Sequence, residues 1–201
     1  MSEPLLALAS RNAGKLREIR TILAAAELGV QVSSADEYPG WESPPEDAPD
    51  YAGNALIKAR SLASFADVPA IADDSGIEVD ALGGEPGPRS ARFAGENATD
   101  EENLAKLISL IHDVEPEART ARYRCVAALV LPDGTEEIAE GTVEGILHTV
   151  PRGTGGFGYD PIFVPLSSAH TMAELSPEEK DAISHRGKAF RGLVPAIKKL
   201  L

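Results

Sequence analysis

The residues best suited to chemistry are Asp73-Asp74-Ser75-Gly76, two adjacent carboxylates followed by a hydroxyl and a glycine, placed directly after the apolar run Val68 to Ala72. That run reads as a buried strand. A strand end is a rigid mount on which successive side chains point to opposite faces, so one carboxylate can face a cleft while its neighbour faces away. Carboxylate oxygens are what a hard cation such as Mg²⁺ requires, and Mg²⁺ commonly brings phosphate with it. The same four residues also suit a hairpin turn whose acids cap backbone N–H groups. Their meaning depends on the rest of the chain.

A second polar stretch, Ser10-Arg11-Asn12-Ala13-Gly14-Lys15, lies between a short strand predicted over Leu5 to Ala9 and a helix with Leu16, Ile19 and Leu23 on its packed face. Strand, small polar loop and helix start form an anion site in outline, with N–H groups and the positive end of the helix dipole aimed at the ligand. Arg11 and Lys15 would add full charges. This is not a Walker A loop, because Ala9 replaces the leading glycine and Leu16 replaces the Ser or Thr after the lysine. An ordinary capped helix with solvated basic residues also fits. Further on, Gly153-Thr154-Gly155-Gly156-Phe157-Gly158-Tyr159-Asp160-Pro161 combines glycines that permit close backbone approach with two aromatic faces suited to a base. A bent connection between strands would look the same. Ser176-Pro177-Glu178-Glu179 opens a short helix carrying Lys180, and Ser184-His185-Arg186-Gly187 breaks it, placing donors at the start of a last helix.

The elements that must position these residues are readable from periodicity. Val30 to Ser33 is a candidate second strand. The proline-rich loop from Tyr38 to Pro49 follows, and Glu46 or Asp47 could reach a metal from it, although a solvated acidic loop is the plainer account. Ala52, Ala55, Leu56, Ala59, Leu62 and Ala63 trace a helix stripe, with Asn54 and Lys58 off it. Ile77 to Asp80 alternates as a further strand, and Thr99 with Glu102 is a capping box opening a helix. Arg122 to Leu131 and Glu137 to Leu147, joined by Pro132-Asp133-Gly134-Thr135, predict a long antiparallel hairpin. The whole reads as an α/β chain: a mixed twisted sheet with that hairpin, flanking helices and two lobes around a central cleft, all in one domain spanning residues 1–201.

Composition narrows the function. A formal net charge of −13 argues against general nucleic-acid binding, which needs a basic face, but leaves room for a small anionic ligand held by a few focused cations and a metal ion. The single cysteine, Cys125, lies in an apolar run and reads as a packing residue suited to a reducing compartment. Met1-Ser2-Glu3-Pro4 has no basic region ahead of an apolar stretch, and no apolar run is long enough to span a bilayer. The expectation is a cytoplasmic protein without a membrane or nucleic-acid partner.

Taken together, these segments closely resemble the Ham1 family of inosine triphosphate pyrophosphatases, the dITP/XTP or non-canonical purine nucleoside triphosphate pyrophosphatases. The matching residues run in the family's order over nearly the whole chain. They are Ser10 to Lys15 with Glu18, Asn54-Ala55 with Lys58-Ala59, Ala72 to Gly76, Pro86-Gly87 with Ser90-Ala91-Arg92, Gly155 to Pro161, and Ser184 to Gly187. The resemblance implies a Maf/Ham1-like fold and hydrolysis of a small-molecule nucleoside triphosphate to monophosphate and pyrophosphate, with Mg²⁺ and as a homodimer. Asp74 would be metal ligand and proton acceptor, and Glu46 a second metal residue. Ser10, Arg11, Asn12, Ala13, Gly14, Lys15, Ser75, Phe157, Gly158, Tyr159, Asp160, Lys180, His185 and Arg186 would bind substrate. Gly53 departs from the pattern, standing where the family often has Glu or Asp. Such chemistry relies on neutralising charge and positioning the reactants, which agrees with the lack of a Ser-His-Asp or reactive-cysteine grouping. His185 or Arg186 donating to a 6-oxo group would reject adenine, while guanine must be refused at its 2-amino side. The alternative readings are a Maf-like pyrophosphatase for modified pyrimidine nucleotides and a non-catalytic nucleotide sensor.

Overall fold

The structure is a computed structural model that describes residues 3–201; Met1 and Ser2, from the amino-terminal stretch read above for a leader, lie outside the described residues. Six strands, β1 (Leu5–Leu8), β2 (Gln31–Ser34), β3 (Ala70–Val79), β4 (Thr120–Val130), β5 (Glu136–Leu147) and β6 (Phe163–Pro165), form one mixed sheet in the order β2-β1-β3-β4-β5-β6. β1 is parallel to β2 and β3, and β5 is antiparallel to β6. The helices are α1 (Ala13–Ala25), α2 (Tyr51–Ala66), α3 (Asp100–Ile111), α4 (Pro177–Ile183) and α5 (His185–Leu200). The chain divides into two compact units: Met1–Asp74 with Cys125–Gly141 and Arg186–Leu201, and Ser75–Arg124 with Thr142–His185.

In the first unit, strand alternation explains the packing. Leu6, Leu8 and Ile71 point to one face and pack with Ile19 and Leu23 of α1 and Phe190, Leu193 and Ile197 of α5. Ala7, Ala9, Ala70 and Ala72 point to the other and meet Ala55, Ala59, Leu62 and Ala63 of α2. Each large side chain so buried contributes about 1.5–3 kcal/mol, whereas the alanines let α2 approach the strands closely. In the second unit a separate core joins Ile77 and Val79 of β3, Leu107 and Ile111 of α3, Tyr123 of β4, and Ile162 and Phe163.

The hairpin closes as expected, with the Leu131 amide donating to the Thr135 carbonyl at 2.9 Å. Capping boxes at Thr99–Glu102 and Ser176–Glu179 open α3 and α4. One expectation is corrected. Asp73-Asp74 does not end a strand: the runs read separately as Val68 to Ala72 and Ile77 to Asp80 are parts of one strand, Ala70–Val79, which passes straight through the acids. Polar residues look like punctuation in a sequence, yet an extended backbone tolerates them where neighbouring side chains meet their charge.

Candidate active site

Because β3 continues through Asp73 and Asp74, its alternation delivers the two carboxylates to different partners. Asp73 follows Ile71 onto the face of α1 and α5. Its oxygens accept two hydrogen bonds from Lys15 Nζ, at 2.8 and 2.9 Å, and one from Arg186 Nε at 3.1 Å. The Cys125 thiol points at it from 3.9 Å, and Arg186 Nη1 also lies 3.7 Å from Glu18. Asp74 follows Ala72 onto the face of α2, where Asn54 Nδ2 donates to its Oδ2 at 2.9 Å and Lys58 Nζ stands 3.7 Å from its Oδ1. Lys58 also donates to Glu46 Oε1 at 2.7 Å, so one ammonium lies between two carboxylates. Asn54 Oδ1 takes the Ala48 amide at 3.0 Å and thereby ties the acidic loop to the same place.

The two neighbouring aspartates are driven in opposite directions. Burial by itself raises a carboxyl; at Asp73 the charges of Lys15, Arg186 and Lys58 outweigh it and hold the group far below the ordinary carboxylate range. At Asp74 burial prevails over Lys58 and the Asn54 hydrogen bond, Glu46 and Asp73 push the same way, and the carboxyl lies above its ordinary value. Burial pulls the Lys58 ammonium down, but Asp73, Asp74 and Glu46 more than reverse this, so it stays charged. Burial, followed by the charge of Asp73, pushes the Cys125 thiol up and agrees with a packing role.

Asp73 therefore anchors this unit, and Asp73→Asn is expected to cost about 3–5 kcal/mol by removing the buried carboxylate that Lys15 and Arg186 share. A depressed carboxyl stabilises the fold above its unfolded pKa near 4 and loses that contribution as pH falls below it. Urea unfolding of the parent should thus weaken steeply below about pH 4, and that of the variant less so. Equal stability of the two proteins at pH 6 would refute the assignment.

A cavity of about 210 Å³ adjoins this cluster, lined by Ser10, Arg11, Lys15, Glu46, Lys58 and Asp73 among others. The loop before α1 differs from the outline drawn from sequence. Asn12 caps the helix, and its Oδ1 accepts from the amides of Gly14 and Lys15 at 2.8 and 3.1 Å. Side chains, more than first-turn amides, therefore bring positive charge to the cavity. Ala13 and Gly14 are exposed in that first turn, and Arg11 bonds the Trp41 carbonyl at 2.8 Å.

The second unit gathers Phe157, Gly158, Tyr159, Asp160, Lys180 and His185. Asp160, 4% exposed, organises them: its Oδ2 accepts from Lys180 Nζ at 2.5 Å and the Phe157 amide at 2.9 Å, and its Oδ1 from the Tyr123 hydroxyl at 3.2 Å. Lys180 Nζ lies 4.9 Å from the centre of the Phe157 ring, which is 58% exposed. Tyr159 is buried instead, its hydroxyl on the Ser90 carbonyl at 2.8 Å, so Phe157 alone of the two presents an open aromatic face. Gly156 has φ of +75°, and a Cβ there would collide with the Asp160 carboxylate. The glycine-rich loop thus makes a close approach to its own aspartate. The Gly158 amide donates to Asp100 at 3.0 Å, and Ser75 is half-buried on β3.

Sequence reasoning passed over Asn54 and Lys58 as residues off the helix stripe; both are buried, at 0% and 7% exposure. Their i, i+4 spacing beside the alanine stripe was the available signal. The role of Asp73 as a charge hub and the partnership of Glu18 with Arg186 had no local signal. At Gly53 a Cβ would lie 2.5 Å from that of Ala48 and 3.2 Å from Asp50 Oδ1, so the acidic loop closes over the glycine.

This mixed α/β fold, with an acid pair framed by lysines and an aspartate-centred glycine loop, is that of a known group: the chain belongs to the Ham1 family, whose model matches residues 6–196. Over 196 residues it is 53% identical to a protein of Streptomyces coelicolor named dITP/XTP pyrophosphatase, with 98% of each chain covered. A protein of the same name from Desulforamulus reducens is 47% identical over 195 residues, covering 97% of this chain and 96% of that one. Among solved structures, a HAM1 protein from Coxiella burnetii superposes with a TM-score of 0.89 at 38% identity, covering 98% and 99% of the two chains. A nucleoside-triphosphatase / dITP/XTP pyrophosphatase from Mycobacterium abscessus gives 0.77 at 42% identity, covering 98% and 97%.

Proposed function

We propose that the protein, acting as a single domain, hydrolyses non-canonical purine nucleoside triphosphates, those of inosine, deoxyinosine and xanthosine, to the monophosphate and pyrophosphate. The observation that carries the reading is the buried Asp73–Asp74 pair with Lys15, Lys58 and Arg186 around it, in a chain whose curated relatives bear the name dITP/XTP pyrophosphatase. Asp74 and Glu46 would hold Mg²⁺. The donor set fits: two carboxylates already share one cation, the ammonium of Lys58, and Mg²⁺ commonly takes one or two carboxylates and completes its shell with substrate phosphates. When bound, Mg²⁺ neutralises phosphate charge and acidifies water.

The chain's own groups do the rest. Asp74, whose carboxyl is raised by burial, orients and accepts the proton of the attacking water. Lys15 and Lys180 offer positive charge to the phosphate tail as the pyrophosphate leaves. Ser10 to Gly14 and Ser75 would contact the tail, while Phe157 and His185 would address the base, with Gly158, Tyr159 and Asp160 shaping the loop that presents Phe157. His185 or Arg186 donates to the 6-oxo group; Arg186 also holds Asp73 and Glu18, and His185 is stacked on Tyr123.

No helix among the described residues is long and apolar enough to cross a membrane. The single buried cysteine suits a cytoplasmic setting, the net charge of −13 argues against a nucleic-acid partner, and the family resemblance points to a homodimer, which sedimentation would register as twice the chain mass. The decisive assay incubates the protein with Mg²⁺ and inosine triphosphate and quantifies both phosphate products: equal amounts of monophosphate and pyrophosphate are expected, and orthophosphate would exclude the reading. His185→Ala is expected to narrow the ratio of inosine to adenosine triphosphate turnover roughly 10-fold by removing the donor that adenine leaves unpaired. An unchanged ratio would release His185 from base choice.

A further inference from the structure

We propose that Tyr123 is a positioning residue that sets the plane of the His185 imidazole and so decides how well the base is read. The inference rests on His185 addressing the base.

Tyr123 lies on β4 and is 7% exposed. Its ring is stacked on His185 with centroids 4.7 Å apart and planes only 7° from parallel. It also touches Phe163, centroids 4.6 Å apart and tilted by 52°, which fixes the phenol from within the core. Its hydroxyl donates to Asp160, the same carboxylate that holds Lys180 and the Phe157 amide. One buried side chain therefore links His185 to the groups that present Phe157 and Lys180.

His185 is the first residue of α5, where the helix supplies no preceding turn to restrain a side chain. A ring in that position takes its orientation from tertiary contacts. Imidazole N–H bonds lie in the ring plane, so the plane determines where its donors point. A parallel stack resists rotation of the imidazole about its last torsion, which a merely space-filling neighbour does not. Burial and the nearby Asp160 charge keep the phenol protonated, and hence a donor.

The two parts of Tyr123 separate cleanly. Tyr123→Phe keeps the stack and loses the bond to Asp160. Tyr123→Leu and Tyr123→Met fill most of the space and lose the stack. Binding of inosine monophosphate and adenosine monophosphate to the full chain with Mg²⁺, measured by calorimetry, reads base preference without turnover. The wild type is expected to prefer the inosine nucleotide. Leu and Met should reduce that preference roughly 3- to 10-fold, the range of an aromatic pair. Phe should retain it, and adding Leu to His185→Ala should change it no further. The imidazole proton resonances of His185 should shift with Leu and Met but not with Phe, as the ring current of residue 123 is lost or kept.

An unchanged preference in both aliphatic variants, or a Leu effect that persists in full without His185, overturns the proposal and leaves a packing residue. Release of pyrophosphate from inosine triphosphate by the same wild-type preparation keeps the two readings apart. If the wild type hydrolyses the triphosphate but Leu and Met keep its preference, only the positioning role fails. If the wild type shows neither pyrophosphate release nor a preference, both fail together.

Discussion

Asp74→Asn will lower kcat for inosine triphosphate by roughly 10³-fold, the several kcal/mol that a metal site and its proton acceptor contribute to a transition state, while leaving much of the substrate affinity intact. The variant keeps a carbonyl oxygen to accept from Asn54 and loses only the charge. Its stability should move the other way. Burial holds the Asp74 carboxyl above its ordinary value, so its ionisation at neutral pH opposes folding and that cost is relieved as pH falls. Asn removes the cost, and Asp74→Asn should unfold at the parent's temperature or above it in the absence of metal. A functional group held at the expense of stability behaves in this way. Pyrophosphate release under saturating Mg²⁺ and thermal unfolding without Mg²⁺ test both halves. Turnover near the parent's would remove Asp74 from the mechanism, and a marked loss of stability would show that its charge is structural.

The second large effect belongs to Lys58. Its ammonium lies 2.7 Å from Glu46 and 3.7 Å from Asp74, and the charge of Asp73 also acts on it. Lys58→Met keeps the stem's packing and leaves those carboxylates facing one another. Breaking one partner of a buried ion pair costs about 3–5 kcal/mol; here the Glu46 end is partly solvated, and about 3 kcal/mol is expected. For a chain of this size that is a fall in Tm of roughly 6–12 °C. Mg²⁺ should recover more stability in the variant than in the parent, because a cation that binds only the folded state stabilises it in proportion to occupancy and no longer competes with an ammonium. Thermal unfolding with and without Mg²⁺ measures this. If the variant is destabilised and Mg²⁺ restores nothing, Asp74 and Glu46 do not hold the ion.

Both effects depend on features of unequal legibility. The hairpin from β4 to β5, the capping boxes of α3 and α4 and the stripe of α2 all follow from residues within a few positions of one another, and local propensity and tertiary structure agree on them. The types of Asp73 and Asp74 mark them for chemistry, but the apolar run ends at Ala72 and gives no sign that the strand continues through them to Val79. Neighbouring strands and the cations of three helices hold it extended there. Tyr159 and Phe157 look equivalent in sequence, whereas the Ser90 carbonyl draws one inward and leaves the other open.

By itself the sequence determined which residues could act: adjacent carboxylates on an extended segment, lysines at helix starts, and glycines, aromatics and a histidine at loops. Only the tertiary structure decided what each is worth. Lys15 and Arg186 reach Asp73 across 58 and 113 positions of chain, and Lys58 reaches Asp74 by being buried between α2 and β3. The physical reason is that side-chain periodicity is a short-range property of the backbone. Desolvation and Coulomb pairing are set instead by whichever charges the fold brings within a few ångströms, and at these two neighbours they hold the Asp73 carboxyl below its ordinary value and the Asp74 carboxyl above it.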